Sequence, residues 1–409
     1  MSWAYDASQR ARQEKTVIQP LAPAPADVAR SAPNAAFRKT AKRQPELDGL
    51  RGFLLVWMTL THLPTHISAY SNQTLGFVSA AEGFIFLSAV LCGRVFGRKL
   101  REEGIRSVWR RLGARAGRLY AYHLFLLGIA FTVVARLAIH TKQPSLVGLL
   151  DFYLAHPIDG VIASALLVYR PPLLDILPMY ILFLIGTPIA FWVSSRWSWR
   201  AVIVPSLLLW TAAQLGFRSM MYATFVRFTH VDIPFSALGA FDLFAWQLLW
   251  AVGLWIGSGS AEILRFRPRP KAAIFVSLLI AVTMLFVRYS KWWSVLNAPP
   301  WAPLTDKWHL GPVRILNFTA VAVLFVTIQP KTVKWLGRGP LVVLGKASLE
   351  VFCAHLLVCF AALALVGDGT NASLGQQAGI IVFALIFLYG VAKAFGKEHK
   401  NTMQPRRED

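Results

Sequence analysis

Long apolar runs are the feature that most constrains how this chain can fold. Several of them approach or exceed the roughly 20 predominantly apolar residues that an α-helix needs to cross a bilayer. They occupy residues 120–139, 179–193, 239–257, 272–287, 341–366 and 376–395. Charged residues make up 15% of the 409 residues, whereas soluble proteins carry about 25%. The sequence therefore predicts an all-α fold, a polytopic helix bundle integral to a membrane.

The positions of the basic residues predict the orientation of this bundle. We predict ten spans, at about 50–70, 76–97, 119–140, 176–195, 200–217, 238–258, 271–289, 314–330, 341–366 and 376–395. Lysines and arginines are concentrated after every second span, in 98–118, 196–200, 259–271 and 331–340. Because such residues stay on the cytoplasmic side, both termini are predicted to be cytoplasmic. The net charge of +22 thus indicates contact with membrane lipid and argues against nucleic acid as a partner.

Composition divides the chain into three predicted segments. Residues 1–45 are polar, basic and rich in Ala and Pro, which is typical of a disordered tail. Residues 46–395 form the predicted transmembrane domain, and 396–409 form a second cytoplasmic tail. The three cysteines, Cys92, Cys353 and Cys359, lack the spacing of a metal site or a disulfide framework, so we predict no metal.

The stretch "RGFLLVWMTLTH" places Arg51 and His62 at the two ends of one apolar segment. Eleven residues are close to three helical turns, so both side chains share one face, about 16 Å apart along the axis. Arg51 then lies at the cytoplasmic end of the first span and His62 near the middle of the bilayer. An ionisable residue at that depth is a functional candidate by default. The alternative is that His62 is a hydrogen-bonded core residue.

The second predicted span contributes a carboxylate. Glu82, in "SAAEGFIFLS", lies at about the depth predicted for His62. A carboxylate beside an imidazole can fix its tautomer and raise its basicity, as a general base requires. A structural hydrogen bond or an ion pair with an arginine is the alternative for Glu82. Ser88 is a weaker candidate, because small polar residues in membrane helices usually serve packing.

Arg115 and Arg118 open the third predicted span in "RRLGARAGRLYAYH". They are three residues apart and therefore neighbours on one helix face. Part of this arginine excess marks the cytoplasmic side. Together with Arg51, however, the pair forms a basic entrance, and arginine suits phosphate binding. The pattern indicates a phosphate-bearing donor that enters from the cytoplasm towards His62 and Glu82.

At these residues the chain resembles the membrane acyltransferase-three superfamily and, within it, the OpgC family of osmoregulated periplasmic glucan succinyl-transfer proteins. The resemblance covers about 45–395. It rests on the stretches "LDGLRG" (47–52), "SAAEGFIFLS" (79–88), "DILPMYILFL" (175–184), "FAWQLLWAVG" (244–253) and "LGKASLEVFCAHLLV" (344–358). There are two departures from the expected pattern: Ala89 follows "FLS" where a glycine is expected, and Glu82 stands where the superfamily usually has Asp.

The resemblance implies transfer of an acyl group, succinyl or acetyl, from cytoplasmic acyl-CoA to a hydroxyl of a periplasmic glucan or other glycan. His62 would match the catalytic histidine, Arg51 its partner, and Arg115 with Arg118 the basic pair at the third helix. We expect these three arginines to hold the donor phosphates. Acyl-CoA is the donor substrate and no bound cofactor is expected. The location implied is the bacterial inner membrane.

Two chemical routes and several secondary residues stay open. His62, oriented by Glu82, would act as a general base, or it would carry the acyl group as a covalent relay. His355 and Tyr180 are secondary site candidates, and a hydrogen-bonded core histidine is the alternative for His355. Asp175 and Trp246 belong either to the acceptor region or to packing.

Two other functional classes fit part of the pattern. A transporter or flippase of a lipid-linked sugar would also use ionisable residues within the membrane and arginines at an entrance. Such transporters often contain paired broken helices, and no corresponding pair is visible in the sequence. A structural membrane protein would not need Arg51, His62, Glu82 and the arginine pair together.

Overall fold

The computed structural model describes residues 45–229, 233–259 and 270–401. The predicted tail 1–45, apart from its last residue, lies outside these ranges, as do residues 402–409. Within the described ranges the chain is helical and contains no strand, as predicted. The last helix ends at Asn401, so it includes the first residues of the segment that we predicted to be a tail.

The first half of the bundle consists of long helices joined by short ones. They are α1 (Pro45–His62), α2 (His66–Ser71), α3 (Ala80–Glu103), α4 (Ile105–Ile129), a π-helical turn (Ala130–Val134), α5 (Ala135–Thr141), α6 (Pro144–Leu149), α7 (Asp151–Ala155), α8 (Pro157–Ala165), α9 (Ile176–Arg196) and α10 (Arg200–Gln214).

The second half continues in the same way. It contains α11 (Phe217–Thr229), a 3₁₀ turn (Phe235–Leu238), α12 (Leu243–Gly257), α13 (Pro270–Tyr289), α14 (Trp292–Leu296), α15 (Ala302–Thr305), α16 (Pro312–Leu336), α17 (Pro340–Lys346), α18 (Ser348–Val366) and α19 (Leu374–Asn401).

Each of the ten predicted spans contains a helix, but not all of these helices are long and apolar enough to cross a membrane. Seven described helical segments meet that requirement, and α10 with α11, bent by 79°, would add an eighth. The other two predicted spans correspond to α1, which has acidic residues in its first turn, and α16, which is apolar only over Pro312–Thr327. The chain is a multi-pass membrane protein, and the count of ten stays a prediction.

Breaks in the predicted spans 50–70 and 341–366 bear on the site. α1 ends at His62 because Pro64, two residues later, lacks an N–H and disfavours helix in the residue before it. His62 is therefore the last residue of a helix, not the middle of a continuous span. The predicted span 341–366 divides at Ala347 into α17 and α18, which places His355 two turns into α18.

Glycines bring α1 and α17 into direct backbone contact. A Cβ atom at Gly345 would lie 1.7 Å from the carbonyl oxygen of Asp48, and one at Gly52 would lie 1.9 Å from that of Leu341. Small residues allow membrane helices to approach this closely. The contact brings the Arg51 end of α1 next to Lys346 at the end of α17.

A second close contact joins α3 and α12. A Cβ atom at Gly253 would lie 2.6 Å from the Cβ atom of Ala89, and Ala89 is fully buried. The departure from the family pattern at Ala89 therefore falls in a helix–helix contact.

Candidate functional site

A cavity of about 380 Å³ brings together residues that the sequence predicted to bind the donor. Its cationic lining residues, which define what we call the basic cavity, are Arg51, Arg111, Arg115, Arg118 and Lys346. They come from α1, α4 and α17, which meet at the Arg51 end of the bundle. Several cations around one cavity can bind phosphate groups through charge-assisted hydrogen bonds.

Tyr180, a secondary candidate, also lines the basic cavity. The Nη2 atom of Arg115 donates a hydrogen bond of 3.1 Å to the Tyr180 hydroxyl, which fixes the guanidinium against α9. Arg118 is exposed, whereas Arg115 is half-buried. Phe84, Leu119 and other apolar side chains line the same cavity, so charge is combined with an apolar wall.

His62 pairs with His355, 293 residues away in sequence. The Nδ1 atom of His62 lies 3.2 Å from Nε2 of His355, and the two rings stack with their centroids 5.5 Å apart. His355 is fully buried, and its Nδ1 atom lies 2.5 Å from the Phe352 carbonyl oxygen. The structure thus joins the predicted histidine to a secondary candidate.

These contacts determine the tautomer of both rings. A carbonyl oxygen only accepts, so Nδ1 of His355 carries the proton, and in the neutral ring Nε2 is an acceptor. The Nδ1 atom of His62 must then donate to it, which leaves Nε2 of His62 without a proton. That nitrogen makes no hydrogen bond to any residue within the described ranges. A bare imidazole nitrogen is able to accept a proton from a substrate or to attack a carbonyl carbon.

His62 lines a second cavity, of about 600 Å³. We call it the histidine cavity and define it by the polar residues Thr61, His62, Ser68, Asn72, Ser79, Arg170, Asp175, Ser236 and Lys307, with Trp308 and Phe241 among its apolar ones. Most of its lining comes from the segments between the long helices, at the ends of the spans that the charge pattern predicts to lie on the outer side.

The two cavities meet at Ile176, which lines both. Arg51 and His62 occupy opposite ends of α1, about 16 Å apart along its axis. Each lines a different cavity. One helix therefore connects a cluster of cations to an imidazole in a separate space.

Glu82 does not contact His62, which corrects the predicted pairing. Its Oε1 atom lies 2.5 Å from Nη1 of Arg314, and both side chains are fully buried. Its Oε2 atom accepts hydrogen bonds from the backbone N–H and the hydroxyl of Ser79. Arg314 also donates to the carbonyl oxygens of Phe77 and Thr305. The structure therefore supports the alternative stated for Glu82, an ion pair with an arginine.

Local sequence explains part of this difference. Ser79 and Glu82 form a capping box at the start of α3, and the pattern Ser-x-x-Glu before an apolar run predicts such a box. Glu82 is thus in the first turn of its helix. The sequence also indicates that Arg314 is paired. It lies at the start of the predicted span 314–330, and an arginine at membrane depth requires a partner.

Three further charged residues lie in the connecting segments around the histidine cavity. Asp175 accepts a hydrogen bond of 3.2 Å from the Ala240 N–H, and burial raises the pKa of its carboxyl to about 6. Burial lowers the pKa of Arg170 to about 10 and also lowers the pKa of Lys307. Sequence reasoning named Asp175 but did not identify Arg170 or Lys307 as site residues.

Comparison with protein families matches the family described as OpgC protein over residues 43–400. The chain belongs to the OpgC family. No curated protein and no solved structure matches the chain. Membership of the OpgC family, with the apolar helices, indicates a membrane-bound transferase that modifies glucans.

The OpgC family match includes every residue of the two cavities. Other candidates lie outside them. Ser88 is buried in α3, and its hydroxyl has no hydrogen-bond partner among the residues described. Trp246 is fully buried and donates to the Trp308 carbonyl oxygen at 3.0 Å, which is a packing role. The described part of the chain contains no group of three or more side chains able to hold a metal ion.

Proposed function

We propose that this OpgC-family protein is an O-acyltransferase that moves an acyl group from acyl-CoA to a hydroxyl of a cell-envelope glycan. The observation that carries the proposal is the His62–His355 pair, which leaves Nε2 of His62 bare at the histidine cavity. The basic cavity at the other end of α1 supplies the complementary feature, a set of cations for the donor's phosphates.

The donor is proposed to bind in the basic cavity. Arg51, Arg115 and Arg118 would contact the phosphates, with Tyr180 holding the Arg115 guanidinium in position. The apolar wall, including Leu119 and Ile176, suits the arm that carries the thioester. That arm must span about 16 Å from phosphates near Arg51 to reach His62.

The direct route needs one base. Nε2 of His62 takes the proton from the acceptor hydroxyl as its oxygen attacks the thioester carbonyl carbon. The carbon–sulfur bond then breaks, and the leaving thiolate takes the proton from the His62 imidazolium. The products are an ester on the glycan and free CoA thiol, and the imidazole returns to its starting tautomer.

The relay route uses the same nitrogen as a nucleophile. Nε2 attacks the thioester carbon, the carbon–sulfur bond breaks, and the thiolate takes the Nδ1 proton of the acyl-imidazolium, so CoA leaves as the thiol and the acyl group stays on Nε2. A glycan hydroxyl then attacks the acyl carbon, the bond from that carbon to Nε2 breaks, and the hydroxyl proton returns to the imidazole, which regenerates neutral His62. The basic cavity and the histidine cavity are separate, which favours this route because donor and acceptor need not be bound at the same time.

Orientation follows from the charge pattern of the sequence. Arg115 and Arg118 belong to a segment predicted to be cytoplasmic, and Arg51 lies at the cytoplasmic end of the first predicted span. Acyl-CoA is available on that side. The segments around the histidine cavity are predicted to face outwards. The proposed location is therefore the bacterial inner membrane, with the glycan acceptor on the periplasmic side.

Release of CoA thiol tests the proposal. The purified protein in a neutral detergent, given succinyl-CoA or acetyl-CoA with a glucan, should release thiol and form an esterified glucan. His62→Gln should abolish both. A transporter would leave the thioester intact, so the same assay separates the two functional classes.

His66→Gln provides the matched control. His66 is an exposed histidine four residues from His62, and its backbone N–H, not its ring, bonds Gln377. The His66 variant should retain wild-type activity. Equal thiol release by the wild type and His62→Gln would refute the proposed role of His62.

A further inference from the structure

The histidine cavity contains a cation that the proposed acyl transfer does not use. Lys307 lies between α15 and α16, and its side chain lines the cavity together with His62. Its Nζ atom donates a hydrogen bond of 2.9 Å to Asn72 Oδ1 and lies 5.0 Å from the centroid of the Trp308 ring. Both partners are uncharged, so neither neutralises the ammonium.

The neighbouring carboxylates have other partners. Glu82 is bound to Arg314 at 2.5 Å, and Asp175 accepts a hydrogen bond from the Ala240 N–H. Within the part of the chain that the structure describes, Lys307 forms no ion pair. Its cavity lining contains two cationic side chains, Lys307 and Arg170, and one carboxylate, Asp175. The cavity therefore has an excess of positive charge.

This excess is costly in a half-buried site. The Lys307 side chain is only partly exposed, and burial lowers the pKa of its ammonium. Attraction between opposite charges is stronger where water is partly excluded than in bulk solvent. An anionic group that entered the cavity would offset this cost, whereas the neutral hydroxyls of a plain glucan would not.

We propose that Lys307 is a specificity-determining residue that binds a carboxylate or phosphate group of the substrate beside His62. The inference rests on the proposed acyl transfer and adds a requirement for negative charge to it. The charge has two possible sources. One is the free carboxylate of a dicarboxylic acyl group, and the other is an anionic substituent on the glycan.

Turnover with matched substrates distinguishes these sources. Succinyl-CoA and acetyl-CoA are each combined with a neutral glucan and with a glucan that carries glycerol phosphate. Wild type is compared with Lys307→Met, which keeps the length but removes the charge, and with Lys307→Arg, which keeps the charge. Lys291→Met, an exposed lysine of the same connecting region, is the control.

Loss of one charged contact should lower kcat/KM of Lys307→Met about 10- to 100-fold, but only for the substrate that carries the anion. Lys307→Arg should recover part of that loss, and Lys291→Met should match wild type. A loss confined to succinyl-CoA identifies the acyl group as the source, and one confined to the substituted glucan identifies the acceptor. An equal loss with all four combinations, or none, overturns the proposal.

A binding measurement keeps this test independent of turnover. Succinate and glycerol phosphate, each added at millimolar concentration, should raise the melting temperature of wild type and leave that of Lys307→Met unchanged. Acetamide, which is neutral, should stabilise neither. If wild type transfers no acyl group in any combination, the proposed function fails, and this ligand-induced shift alone decides whether Lys307 binds an anion.

Discussion

Removing one member of the Glu82–Arg314 pair should destabilise the whole bundle and not merely the reaction. Both side chains are fully buried, and the distance between Oε1 and Nη1 is 2.5 Å. Breaking such a pair leaves an uncompensated charge and costs about 3–5 kcal/mol. Glu82→Gln and Arg314→Met are the variants to compare with wild type.

The size of the effect can be expressed as a melting temperature. Each kcal/mol shifts the midpoint by about 2–4 °C in domains of 150–250 residues, and by less in a longer chain. Both single variants should therefore melt about 5–10 °C below wild type in neutral detergent, as followed by tryptophan fluorescence. The loss should occur even without substrate.

The double variant Glu82→Met/Arg314→Met separates the charge from the packing. Replacing a buried ion pair by apolar residues of similar volume is often neutral or stabilising, so the double variant should be more stable than either single one. Recovery should be incomplete, since Arg314 also serves the carbonyl oxygens of Phe77 and Thr305. If Glu82→Gln kept the wild-type melting temperature and lost only activity, Glu82 would act on the reaction and our structural assignment would be wrong.

Three further contacts can each be tested by substitution. His355→Ala should lower kcat at least ~10-fold, but by less than the ~10²–10⁴-fold that general-base catalysis supplies. His355→Gln keeps a hydrogen-bond acceptor for His62 and should lose less activity. Equal activities of the two variants would contradict the assignment of the tautomers. The hydrogen bond to Asp306 raises the pKa of His309, which means that protonated His309 stabilises the folded protein. This contribution to stability is complete below pH ~6.5 and is lost as the pH rises through the folded-state pKa. The melting temperature of His309→Gln should accordingly fall further below wild type at pH 6 than at pH 9, and a constant difference would exclude this linkage. Gly345→Ala should destabilise the protein because the added Cβ atom has no room. Gly390→Ala should not, because a Cβ atom there would have no neighbouring heavy atom within 4 Å. Similar melting temperatures of the two variants would contradict the close packing of α1 and α17.

The helical class of the fold was predictable because each span is encoded by its own residues. An apolar run such as 239–257 needs no distant contact to be recognised, and α12 lies within it. The breaks were less visible. Pro64 is a local signal that ends α1 at His62. The division at Ala347 has no proline to mark it, and the nearby Gly345 lies inside α17, where it serves the contact with α1.

The site was predictable where its residues share a helix, or where the charge pattern places them on one side of the membrane, as it does for Arg51. Arg115 and Arg118 are neighbours by helical spacing, and the basic cavity contains both. The partners of Glu82 and His62 are 232 and 293 residues away, so tertiary packing decides them. Periodicity gives the depth of a side chain but does not identify which of several distant groups it meets. For that reason Glu82 was assigned to His62 when its partner is Arg314.

The most direct test of the account is mass spectrometry of the cell-envelope glycans from cells that produce either wild type or His62→Gln at equal levels. Cells with wild type should contain glycans heavier by one or more acyl groups, and cells with the His62 variant should contain only unmodified glycans. The mass increment would also identify the acyl group. Equal acylation in both would contradict the claim that His62 carries out the transfer.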